Sequence, residues 1–141
     1  MYKHILFATD ITDETNFLFR KVKEMRDCTN AKLSIVHVVE PIYAYSDMFY
    51  LAEDIEGKLM EEARKKLEKI AESVADKSAE QIIKVGSTKK IILEVAKNIG
   101  ADLIICGSHG RHGLSLLLGS TANEISHGAN CDVLTIRFPT P

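Results

Sequence analysis

Five short runs of apolar, largely β-branched residues alternate with stretches of helical periodicity, and this alternation limits the chain to very few architectures. The runs are Ile5–Ala8, Leu33–Val39, Gln81–Val85, Leu103–Cys106 and Val133–Phe138, closed in turn by Thr9-Asp10, Glu40-Pro41, Gly86, Gly107 and Pro139. Short branched runs bounded by turn residues predict strands buried on both faces. Between the first two, Thr12 predicts a helix N-cap, with Asp13 and Glu14 suited to the positive helix end, and Leu18, Val22 and Met25 follow at helical spacing. Leu51, Ile55, Leu59, Ala63, Leu67, Ile70 and Val74 form one stripe of a long second helix, with Glu61/Lys65 and Glu62/Lys66 opposite and Gly57 as the point where it could bend. Ser87 predicts the cap of a third helix, through Ile91, Ile92, Val95 and Ala96, stopped by Gly100. Gly119-Ser120 opens a fourth, stopped by Gly128, with His127 near its negative end.

The order β-α-β-α-β-α-β-α-β predicts an α/β domain, a parallel sheet with helices on both faces. The 141 residues predict one domain, 1–141, large enough to bury a core without disulfide or metal staples. With 18 basic and 20 acidic residues, a net charge of −2, the chain lacks the mass positive charge that grips nucleic acid. Its three cysteines, Cys28, Cys106 and Cys131, are odd in number and make no CxxC pair, which argues against a disulfide framework or zinc ribbon and fits a reducing compartment. The apolar run before Asp10 is too short for a signal peptide or a bilayer span, so the expectation is a cytoplasmic protein with no membrane partner. The connection from Glu40 to Tyr50 is unusually long and holds Tyr43, Tyr45, Phe49 and Tyr50. That cluster reads either as a lid or partner surface, or as packing on the sheet edge.

In a parallel α/β sheet, ligands bind beyond the carboxyl ends of the strands, where strand order reverses. The residues to watch are therefore Thr9-Asp10 and the stretch from Cys106 through Gly107, Ser108, His109, Gly110, Arg111, His112 and Gly113 to Gly119-Ser120-Thr121. Gly107, Gly110, Gly113 and Gly119 are half of the chain's 8 glycines. Glycine lets backbone N–H groups approach a bound group closely, and a helix beginning at Ser120 adds free donors and partial positive charge. This combination suits a phosphate; it equally suits a tight strand-to-helix turn. Neither GxxxxGK[ST] nor GxGxxG is present, so a phosphate would rest on backbone N–H groups, Ser120 and Arg111. His109 and His112 have HxxH spacing but no acidic partner nearby, which falls short of the three or four ligands of a zinc site. Cys106 reads as a small packed hydrophobe, and His37 as a satisfied core histidine. Asp10 is either a general base or a helix cap, and no Ser/Cys-His arrangement can be set beside it.

Three separated segments, in order and spacing, resemble the universal stress protein family. KHILFATD resembles that family's first strand ending in Asp, LSIVHVVEP its second strand, and IGADLIICGSHGRHGLSLLLGSTANEISHGANCDVLTIR its G-x2-G-x9-G-[ST] signature and last strand. The resemblance covers essentially the whole chain. It implies a Rossmann-like (adenine nucleotide alpha hydrolase-like) five-stranded parallel sheet of order 3-2-1-4-5, and a homodimer through the last strand, Val133, Leu134, Thr135, Ile136, Arg137 and Phe138. It further implies ATP, with Mg²⁺, as ligand. Asp10 and the backbone around Val38 would meet adenine, Gly107 would lie near the ribose, and Gly110, Gly119, Ser120 and Thr121 would line the phosphates. Ala8, Thr9 and Cys106 would line the pocket. Between Gly110 and Gly119 lie eight residues, RHGLSLLL, one fewer than the signature has, and Gly113 supplies freedom for the shorter path. The implied function is an ATP-binding, dimeric stress-response module with no assigned catalytic residue and at most weak ATP hydrolysis. The alternatives are a dimeric scaffold that binds no nucleotide, and an adenylyl-transferring or ATP-hydrolysing enzyme. Such enzymes carry an SGGxDS-type or HIGH-type motif after an early strand; Ala8-Thr9-Asp10-Ile11-Thr12 matches neither.

Overall fold

The computed structural model describes the chain apart from residues 13, 42–48, 74–75, 109–118 and 139–141, and for 49–54 it describes the backbone alone. The described residues form β1 (His4–Ala8), α1 (Thr15–Thr29), β2 (Lys32–Val39), α2 (Phe49–Ser73), β3 (Glu80–Val85), α3 (Thr88–Ile99), β4 (Leu103–Gly107), α4 (Ser120–Gly128) and β5 (Asp132–Ile136). The five strands make one parallel sheet in the order β3-β2-β1-β4-β5. This is the expected order, with the expected Rossmann-like layering.

Alternation along the strands divides the core in two. Ile5, Phe7, Leu33, Ile35, Leu103 and Ile105 face Leu18, Phe19 and Val22 of α1 and Leu67 and Ala71 of α2. Leu6, Ala8, Val36, Val38, Ile104 and Cys106 face Ile92, Val95 and Ala96 of α3 and Ala122 and Ile125 of α4. The central strands β1, β2 and β4 are buried on both faces, as their composition predicts. The edge strands β3 and β5 are only half-buried, although their apolar runs look the same in sequence.

Helix boundaries depart from expectation where side chains intervene. Thr12 does not cap α1. The Thr15 hydroxyl accepts the Thr12 N–H at 2.9 Å, the Thr15 N–H donates to the Thr12 carbonyl at 3.0 Å, and the helix starts beyond this turn with Glu14 at its N-cap. Ser87 does occupy the α3 N-cap position, but its side chain makes no capping bond. Gly100 ends α3 in the left-handed region, at φ 69°, where glycine bears no Cβ penalty. α2 runs as one helix through Gly57 and already includes Phe49 and Tyr50; Tyr43, Tyr45 and Val74 lie outside the described residues. Its stripe is buried at Ala63 and Leu67 but 38% exposed at Ile55 and 37% at Leu59. A helix of 25 residues is longer than strands of five to eight, so its N-terminal half overhangs the sheet. Among the described residues of α2, Arg64 pairs with Glu61 (2.5 Å) and with Glu68 (2.6 Å), on the face where the glutamate–lysine spacing was expected to place ion pairs.

A buried ion pair fastens the end of α1 to the α2–β3 connection. Arg26 Nη2 lies 2.5 Å from Asp76 Oδ2, and the Asp76 side chain is 2% exposed. Asp76 also accepts the Ser78 backbone N–H at 3.1 Å and the Ser78 hydroxyl at 2.7 Å.

Candidate functional site

The chain passes from β1 to β2 on one side and from β4 to β5 on the other, so a crevice opens between the carboxyl ends of β1 and β4. The last register pair, Ala8 with Cys106, forms its floor, both side chains turned into the α3/α4 core. Burial pushes the Cys106 thiol above its ordinary pKa, partly offset by a hydrogen bond with Thr135, so the group stays neutral and serves as packing. Val36 is the partner of Ala8 across β2. Val38, two residues on and 8% exposed, is therefore level with Asp10.

The β1–α1 turn that carries Asp10 is tied by hydroxyls. Thr9 Oγ1 accepts the Ile11 N–H at 3.1 Å and is 3.1 Å from the Thr15 hydroxyl. Ile11, at φ 55°, sits in the left-handed region, a strained state for a β-branched residue that persists only where its surroundings hold it. Asp10 is half-exposed and five residues ahead of α1, so it is not that helix's cap.

The β4–α4 connection is closed at its base by two backbone bonds. The Ser108 N–H donates to the Ile136 carbonyl at 2.9 Å, and the Gly119 N–H donates to the Ser108 carbonyl at 2.6 Å. The first bond of α4 runs from the Asn123 N–H to the Gly119 carbonyl at 2.9 Å. The Gly119 amide is thus committed within the chain. The first-turn amides of Ser120, Thr121 and Ala122 are those that helical geometry leaves without intrahelical acceptors, at the positive pole of the helix. Ser120 and Thr121 are exposed. Gly119 has φ −60° and ψ 153°, extended backbone open to any residue, so its glycine is not explained by a left-handed conformation.

Gly107 is explained by packing. A Cβ there would lie 2.8 Å from Cζ of Phe138 and 3.2 Å from Cδ1 of Leu18. Phe138 is not part of the last strand as expected. β5 ends at Ile136, Arg137 and Phe138 leave the ladder, and the Phe138 ring folds back over the α1 side of the crevice. Gly107→Ala is expected to destabilise the protein by about 1–3 kcal/mol, as overpacking does. Phe138→Leu should recover most of that loss, and chemical denaturation of the two single variants and the double variant checks the coupling.

The structure therefore brings Ala8, Thr9, Asp10, Val38, Cys106, Gly107, Gly119, Ser120 and Thr121 to one end of the sheet. His109, Gly110, Arg111, His112 and Gly113 lie outside the described residues. Sequence reasoning missed Thr15 and the back-folded Phe138. A signal for Thr15 existed in the Thr9/Thr12/Thr15 spacing; Phe138 had none, because an apolar residue that continues a strand run is read as strand. Among the described residues no group of three or more His, Cys, Asp or Glu could hold a metal, and no helix is long and apolar enough to cross a membrane.

Comparison with known proteins agrees with this geometry. The model of the universal stress protein family matches residues 1–137. The chain is 47% identical over 140 residues to universal stress protein A homolog 2 of Coxiella burnetii, covering 97% of this chain and 96% of that one. It is 30% identical to universal stress protein MJ0577 of Methanocaldococcus jannaschii, and superposes on the solved structure of MJ0577 with a TM-score of 0.85, covering 100% of this chain and 99% of the other. The universal stress protein UspA from Lactobacillus plantarum, 23% identical, has the same fold at a TM-score of 0.86, over 96% of this chain and 98% of that one. A universal stress protein solved in complex with cAMP, 22% identical, shares the fold at a TM-score of 0.66, over 96% of each chain.

Proposed function

This chain belongs to the universal stress protein family, and from that premise we propose that it is a homodimeric stress-response module that binds ATP in the β1/β4 crevice. The observation that carries the reading is the meeting of three complementary parts at one end of the sheet. Asp10 and the Val38 backbone stand on one wall, a narrow floor at Ala8 and Cys106 lies between, and the positive end of α4 at Ser120–Ala122 stands on the other. An adenine nucleotide has matching parts, a flat hydrogen-bonding base and an anionic tail. Phosphate oxygens suit the first-turn amides of α4. Arg111 and Gly110 complete the cradle in this reading, and Mg²⁺ accompanies the phosphates. That the fold can accept such a ligand is consistent with the cAMP complex of a protein that shares it. A scaffold that binds no nucleotide is the second reading, favoured by the eight-residue span between Gly110 and Gly119. Mass spectrometry of the purified protein decides between them: co-purified ATP or ADP supports the first, and no nucleotide either co-purified or bound on titration supports the second.

The dimer in this proposal forms through β5, which among the described residues pairs only with β4 and so leaves one edge open. Self-pairing of two antiparallel copies is isologous and closes the sheet. Ile136 turns its carbonyl to β4, where it accepts from Ser108, so Leu134, of the same parity, also faces β4. The outward amides belong to Val133 and Thr135. Val133→Pro should therefore yield a folded protein whose mass by light scattering is one chain instead of two. Leu134→Pro removes a bond within the monomer and should lower its stability instead. A wild type that scatters as a single chain at micromolar concentration overturns the dimer.

A further inference from the structure

We infer that His37 is a positioning residue that ends the β1–β2 ladder one bond early and so presents the peptide edge of Val38 to the base of the nucleotide. The inference rests on the nucleotide reading above and concerns a side chain that reading does not use.

The ladder itself shows the device. The last β1–β2 register pair is Ala8 with Val36, and its closing bond runs from the Thr9 N–H to the Val36 carbonyl at 3.0 Å. In a parallel pair, the next bond joins the Val38 N–H to the Thr9 carbonyl. Among the described residues that bond is not formed. The Thr9 carbonyl accepts instead from His37 Nδ1, at 2.8 Å. A carbonyl oxygen only accepts, so Nδ1 carries the proton. The hydrogen bond that the Thr9 carbonyl receives thus comes from a side chain, where a continued ladder would bring it a backbone amide.

The consequence for Val38 follows from strand parity. Val36 turns its carbonyl to β1, whereas Val39 turns its carbonyl to β3, where it accepts the Gly86 N–H at 3.0 Å. Val38, of the same parity as Val36, turns both its N–H and its C=O toward the β1 side, beyond the last ladder bond and level with Asp10. One donor and one acceptor side by side match the adenine edge, which offers the N1 acceptor and the N6 donor. Guanine presents the reverse pattern, so the same edge selects between the two bases. His37 keeps that edge out of the sheet while touching no part of the ligand.

Two variants separate this role from simple packing. His37→Leu removes the donor, and His37→Asn keeps an N–H near the same place. In nucleotide-free protein, amide exchange at Val38 is expected to slow at least tenfold in His37→Leu, as the amide joins Thr9, and to stay within threefold of wild type in His37→Asn. ATP affinity by calorimetry should fall at least tenfold in His37→Leu and be retained in His37→Asn, with the preference for ATP over GTP lost in the former. Unchanged Val38 exchange in His37→Leu overturns the inference, as does equal ATP affinity in wild type and His37→Leu. If Val38 exchange slows as expected but wild type binds no ATP, the ladder role stands and the nucleotide reading falls. Should His37→Leu fail to fold, His37→Met, equally without a donor, gives the same comparison.

Discussion

Saturating ATP with Mg²⁺ is expected to raise the melting temperature of this protein by about 5–10 °C. A ligand at a hundred times its Kd stabilises the folded state by about 2.7 kcal/mol. For a domain of this size each kcal/mol moves Tm by roughly 2–4 °C, and somewhat more in shorter chains. Ser120→Asp is the informative variant. A carboxylate in the first turn of α4 complements the helix dipole, contributing about 0.3–1 kcal/mol. The same charge repels phosphate from the amides of Ser120, Thr121 and Ala122. The variant should therefore melt at or slightly above the wild-type temperature without ligand and lose the ATP shift. Gly119→Val is the less telling change, because Gly119 has extended backbone and its amide already serves Ser108. Differential scanning calorimetry with and without ATP measures both quantities. A wild type with no shift at millimolar ATP sinks nucleotide binding and leaves the scaffold.

Arg26→Met should cost about 3–5 kcal/mol, the usual penalty for leaving one partner of a buried ion pair alone. Asp76 is the partner left behind, with its side chain 2% exposed, and Arg26 is its cation. Burial by itself raises the Asp76 pKa, but the Ser78 hydroxyl and backbone N–H, with Arg26, outweigh it and hold the carboxyl below its ordinary value. A carboxyl depressed on folding contributes stability above its unfolded pKa of about 3.9, and that contribution is lost as pH falls through the folded value. The deficit of the variant should thus be full at neutral pH and shrink below about pH 4. Urea denaturation of both proteins at pH 7 and pH 3 tests this; an equal deficit at the two values would mean that Arg26 acts through packing, not charge.

The fold was legible because its signals are local. Branched runs, helical stripes and the stops at Gly86 and Gly100 each depend on residues a few positions apart, and their alternation admits little but a parallel sheet between helices. The ends of the crevice were legible for the same reason. Asp10 and Ser120 follow strand-like and helix-opening patterns, and parallel topology places strand ends together.

Other features depended on residues brought from far along the chain. The sequence by itself determined that β1, β2 and β4 are apolar enough for burial, that a carboxylate follows β1 and that glycines follow β4. Only the tertiary structure decided that β3 and β5 are edges, that α2 overhangs the sheet at Ile55 and Leu59, and that Phe138 turns back onto Gly107. It also decided that the Thr9 carbonyl accepts from His37 and not from Val38, and that the backbone amide of Leu134 faces β4 while that of Val133 faces the open edge. The physical reason is common to all of these. Periodicity is set by each segment's own backbone geometry, whereas the partner of a given N–H, carbonyl or ring is set by register between segments, which no single segment encodes.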